Sequence, residues 1–180
     1  MRCRFSVKKT VRMFAALMLG SGLAACAAEQ YSSSEQPSIY RSLAMASGEL
    51  DAKAAQAMIS GYRRNNGLAA VALDAELTRL AQAQARAMAA RNQLDHNAGG
   101  AFAERMRKSG FDARTAVENI SAGYHTLAEA FSGWRDSPPH RANMLHKDVT
   151  RMGIAAVYAP GSKYKVFWVL ILAAPDDKRE

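Results

Sequence analysis

Tyr164–Ala174 reads YKVFWVLILAA, and its nine residues from Val166 to Ala174 are all apolar. A half-buried strand would alternate apolar with polar, so this run fits a strand covered on both faces, in the middle of a sheet. Met152–Ala159 (MGIAAVYA) precedes it, separated by Pro160-Gly161-Ser162-Lys163. Two strands flanking such a turn form a hairpin. Ala116–Ala122 (AVENISA) supplies a third strand.

The rest of the chain is helical in pattern. Leu50, Ala54, Ala55, Met58, Ile59 and Tyr62 recur at helical spacing until Asn65-Asn66-Gly67. A second helix starts after Asp74, an N-cap residue with Glu76 in the first turn, and carries Leu77, Leu80, Ala81, Ala85, Met88 and Ala89 on one side to about Asn92. After the loop LDHNAGG comes a short helix with Phe102 and Met106 one turn apart, ending at Gly110. Thr126-Leu127-Ala128-Glu129 is a capping box, and Leu127, Ala130, Phe131 and Trp134 follow at core-facing positions. Pro138 and Pro139 stop that helix. The prediction is an α+β fold with helices packed on a small antiparallel sheet.

The first 25 residues are set aside from the fold. Arg2, Arg4, Lys8, Lys9 and Arg12 precede the apolar run MFAALMLG and then small residues, the pattern of a secretory signal peptide. The run ends in Leu23-Ala24-Ala25-Cys26, which resembles a bacterial lipobox and implies a chain lipidated at Cys26. Residues 26–48 are read as the lipidated cysteine and a flexible Ser-, Ala- and Gln-rich tether, and residues 49–176 as one domain. Ala27 stands where an inner-membrane retention signal would place aspartate, so the expected location is the periplasmic face of the outer membrane.

Charge follows from the same division. The first 25 residues hold five of the 24 Lys and Arg and none of the 16 Asp and Glu, so the remainder carries 19 against 16, a net of +3 in place of +8. That removes the main support for a nucleic-acid partner. Cys3 and Cys26 are the only cysteines, so the domain holds no disulfide, thiolate metal site or cysteine nucleophile.

Polar groups with chemical potential are few. His96 follows a helix end, where interaction with the helix dipole alone would account for it. Glu118 sits in a stretch that is otherwise buried in pattern, so its charge needs a partner, by default an arginine. His140 follows the diproline, and Ser137 with Pro138 also reads as a helix restart. His125 and His146 are expected in solvent, as is the basic face Arg105, Arg107, Lys108 and Arg114.

The order YRRNNGL, LDHN, VENIS, WRDSPPHRANML, MGIAAVY and FWVLILA resembles the CAP superfamily of cysteine-rich secretory, antigen 5 and pathogenesis-related proteins. It is most similar to the disulfide-free bacterial branch of SCP-like extracellular proteins. The resemblance implies an α-β-α sandwich with a cleft lined by two histidines and two acidic residues. By position these are His96, Glu118, His140 and, in place of the second acid, Ser137, with Asp136 adjacent. His96, His140 and Glu118 would form a ligand set for a divalent cation such as Zn²⁺. Two functions are open: a metal-assisted hydrolase using His96, Glu118 and His140, or a non-catalytic module binding a lipid, a wall component such as peptidoglycan, or an envelope protein. The lost second acid and the absence of a nucleophile favour the module.

Overall fold

A computed structural model of the chain describes residues 36–176. The signal segment, Cys26 and the tether up to residue 35 lie outside the described residues. In chain order the elements are α1 (Ala52–Asn65), β1 (Ala72–Leu73), α2 (Ala75–Arg91), α3 (Phe102–Lys108), β2 (Ala113–Ala122), α4 (Leu127–Asp136), α5 (Pro138–Met144), β3 (Arg151–Ala159) and β4 (Lys165–Pro175).

The four strands form one sheet in the order β1-β3-β4-β2. β4 is central as its sequence requires, antiparallel to β3 on one side and to β2 on the other. The sheet is mixed: β1 pairs parallel with β3 through Ala72 opposite Arg151 and Leu73 opposite Met152. Side-chain alternation along β4 builds two cores. Val166, Trp168, Leu170 and Leu172 pack with residues of α1, α4 and α5, including Ile59, Trp134 and Met144. Phe167, Val169, Ile171 and Ala173 pack with Leu77, Leu80 and Met88 of α2 and Met106 of α3. The result is an α-β-α sandwich whose central strand is buried on both faces.

Local signals set the helix ends. Asp51 caps α1 by accepting from Ala54 N at 2.9 Å, and Asp74 caps α2 by accepting from Leu77 N at 3.0 Å. Asn92 closes α2 in the left-handed conformation, with φ 50°. The Thr126/Glu129 capping box forms in both directions. Gly153 in β3 is where α2 meets the sheet, and a Cβ there would fall inside the backbone of Leu77 and Thr78.

The compact unit extends before residue 49: Leu43 is buried in the α1/α4 core, its N–H donates to His125 O at 2.7 Å, and Ser38 Oγ donates to Asp51 at 2.7 Å. Burying Leu43 anchors a stretch whose polar composition predicts a tether. Arg63 of α1 is fully buried without a carboxylate, donating to the carbonyls of Ala69, Met144, His146 and Val149 at 2.8–3.0 Å. Burial pushes its guanidinium below its ordinary pKa, and four carbonyl dipoles stand in for the missing anion.

Candidate functional site

His96 sits on the loop between α2 and α3, and three buried side chains fix that loop. Gln84, on the apolar stripe of α2, donates from Nε2 to Asp95 O at 2.8 Å and to His96 O at 3.0 Å. Its Oε1 accepts from Gly99 N at 2.9 Å, and a Cβ at Gly99 would lie 2.8 Å from that oxygen. Arg105 of α3 donates to Gly100 O at 2.9 Å and to His96 O at 3.0 Å. Glu118 of β2 completes the arrangement.

The Glu118 carboxylate has only 2% of its side-chain surface exposed, and both oxygens are taken. Oε1 lies 2.8 Å from His96 Nδ1, and Oε2 accepts from Arg105 Nη2 at 2.8 Å. With a carboxylate as acceptor, Nδ1 carries the hydrogen. The His96 side chain is half exposed.

His140 approaches from the opposite layer of the sandwich, on α5. Pro138 occupies the first turn of that helix, and Ser137 is its N-cap, although the Ser137 hydroxyl makes no capping bond. The anchor is a pair of asparagines. Asn119 Nδ2 donates to His140 O at 2.9 Å, while Asn143 Nδ2 donates to Asn119 Oδ1 at 2.9 Å and to Glu118 O at 3.2 Å. Arg141 donates from Nη1 to Arg135 O at 3.4 Å, exposed to solvent. The His140 ring is half-buried, and burial, followed by the charge of nearby His96, pushes its pKa below the ordinary histidine value. His140 is therefore a neutral imidazole at neutral pH.

Adjacent residues of β2 thus hold both histidines, Glu118 the His96 ring and Asn119 the His140 carbonyl, with Ser137 three residues before His140. Asp136 does not replace the second acid. Its carboxylate accepts from Arg135 Nε at 2.8 Å and Nη2 at 3.1 Å, exposed to solvent. The expected cation ligand set fits poorly, because Glu118 stands behind His96 with both oxygens committed. Among the described residues no group of three or more His, Cys, Asp or Glu is placed to hold a metal ion.

Arg105 alone departs from the expected solvated basic face; Arg114 is exposed as expected. Arg105 is buried, while Arg107 and Lys108 of the same helix are exposed. The sequence clue was available in Gln84, a polar residue inside the Leu77, Leu80, Ala81, Ala85 and Met88 stripe. His125 is exposed as expected; His146 is half-buried, with its carbonyl held by Arg63.

A three-layer sandwich carrying a histidine–glutamate pair at the edge of its sheet defines the class. The profile described as "CAP: Cysteine-rich secretory protein family" matches residues 56–172, and the chain belongs to that family. The uncharacterized protein YkwD of Bacillus subtilis is 31% identical over 103 residues, covering 56% of this chain and 40% of that protein. The chain thus spans less than half the length of that relative. An extracellular protein with an SCP domain from Bacillus anthracis aligns at TM-score 0.60 with 22% identity, over 68% of this chain and 39% of the other. An outer surface protein of Borrelia burgdorferi aligns at TM-score 0.63 with 18% identity, over 70% and 93%. These likenesses extend the agreement in fold to extracellular proteins. No helix among the described residues is long and apolar enough to cross a membrane.

Proposed function

We propose that this protein is a non-catalytic binding module of the cell envelope whose cleft of His96, Glu118, Ser137 and His140 holds a polar, uncharged group of a wall component. The observation that carries this reading is the full engagement of Glu118. A carboxylate this deeply buried, with one oxygen bonded to Arg105 and the other to His96, is out of reach of a substrate proton, so it orients His96 and does not act as a base. What the cleft offers is His96 Nε2, the neutral ring of His140 and the Ser137 hydroxyl, a set that pairs with hydroxyl and amide groups. Glycan and peptide parts of peptidoglycan present such groups densely. The sequence Leu23-Ala24-Ala25-Cys26 supports a lipid anchor on Cys26, which would hold the module at the periplasmic face of the outer membrane.

Co-sedimentation of the full chain in detergent with purified peptidoglycan sacculi tests the reading, with soluble muropeptides assayed in parallel. Retention of the wild type, loss in His140→Ala and His96→Ala, and no muropeptide release are expected. Release that disappears in His140→Ala would replace the module with a hydrolase. Equal retention of both variants would remove the cleft from binding.

A further inference from the structure

The edge of the sheet at β2 is guarded over only part of its length. At Glu118 and Asn119, Asn143 of α5 reaches the strand. Over residues 113–117, β2 pairs with β4 alone, and among the described residues no side chain or loop backbone outside the sheet bonds to its main chain. An open strand edge is a template for another strand, and proteins commonly cover it, shorten it or twist it away.

This bare half is the wall of a groove of about 670 Å³ between α3 and the start of β2. Phe102, Met106 and Phe111 supply its apolar surface, and Arg107 and Arg114 are exposed on its rim. Neither guanidinium forms an ion pair with a described residue; Glu104, which Arg107 affects electrostatically, is bonded to Lys108. The register of β2 against β4 shifts between Ala113 and Thr115, so Arg114 occupies the irregular position of the strand. Such a bulge re-aims the side chain it carries. The groove is separate from the cleft, and its reading does not depend on the cleft's function.

We infer that this groove binds an extended, acidic segment of a partner protein, which adds as a strand to residues 113–117 of β2. Main-chain bonds to the open edge supply affinity, Phe102, Met106 and Phe111 receive alternate apolar side chains, and Arg107 and Arg114 select carboxylates between them. The arginine rim gives the commitment to acidic chemistry, and the unpaired main chain favours a peptide over a simple amphiphile, which would leave that edge unused.

The test is a bead library of N-acetylated hexapeptides randomised over Glu, Lys, Val, Phe and Ser, probed with the labelled full chain in detergent. Bound beads should be enriched in Glu over Lys and alternate with Val or Phe. Affinity for the strongest binder should fall about ten-fold in Arg107→Glu/Arg114→Glu, as for two lost charge contacts. Both residues are exposed, so the variant should fold, which circular dichroism checks. N-methylation of alternate amides in that peptide should abolish binding.

Absence of enrichment, enrichment in Lys, or binding that survives N-methylation overturns the proposal. Sodium dodecanoate saturating the groove while no peptide binds would assign it to an amphiphile. Concentration-dependent dimerisation lost in Arg114→Glu would assign the edge to a second copy of this chain.

Discussion

Arg105 Nη2 and Glu118 Oε2 are 2.8 Å apart, with 7% and 2% of their side chains exposed. A charge pair this deep is costly to create and more costly to halve, because either charge alone would be left without solvent. The pair also holds the His96 loop, since Arg105 bonds to His96 O and Glu118 to the His96 ring.

Arg105→Leu is therefore expected to cost about 3–5 kcal/mol in urea denaturation, as for other halved buried pairs. Combining it with Glu118→Leu should cost less than the sum of the two single changes, because the double variant leaves no unpaired charge. Additive losses would mean that the two groups do not act as a pair.

His140 gives the molecule an acid sensitivity with a definite sign. Its folded pKa lies below the unfolded value of about 6.5, so the unfolded chain takes up the proton first, and stability falls as pH drops below that value. Denaturation midpoints compared at neutral and mildly acidic pH should show this drop, and His140→Gln should reduce it. In NMR titration His96→Ala should raise the His140 midpoint only in part, because burial is the larger cause.

Gly153→Ala should destabilise the domain by about 3 kcal/mol, at the upper end for an overpacked core, because the added methyl meets the backbone of Leu77 and Thr78 and no side chain can swing away. A melting temperature equal to that of the wild type would show that α2 can shift off the sheet.

Arg63→Met removes the donors of four hydrogen bonds at once, two of them fully buried. At about 1–3 kcal/mol for each buried acceptor left unpaired, the change should unfold the domain or leave it marginal. Arg63→Lys should rescue little, since one ammonium lacks the planar fork that reaches Ala69, Met144, His146 and Val149 together.

The parts of this molecule that could be read in advance are those fixed by neighbours in sequence. The place of β4 follows from nine apolar residues in a row, and the ends of α2 and α4 from Asp74 and Thr126. The pairing of β1 does not follow, because two residues carry no period. Leu43 is a single apolar side chain in a polar stretch, so its burial depends on the distant core it enters. Arg105 resembles its exposed neighbours because α3 has only seven residues, too short a run to separate a buried face from a wet one. Glu118 was expected to need an arginine, but which one depends on how α3 docks against β2. Likewise, positions in the chain could not show that Glu118 stands behind His96.

Among the described elements, the strand on which both cores rest comes last. Until Lys165–Pro175 has joined, β2 and β3 have no common neighbour and both helix layers lack the strand at the centre of their cores. Most of the polypeptide can thus emerge without committing to its final shape, and the last element converts two loose halves into one solid. Closing β2 onto β4 links residues as far apart as Ala113 and Pro175, so assembly should be slow for a chain of this size and concerted once it begins.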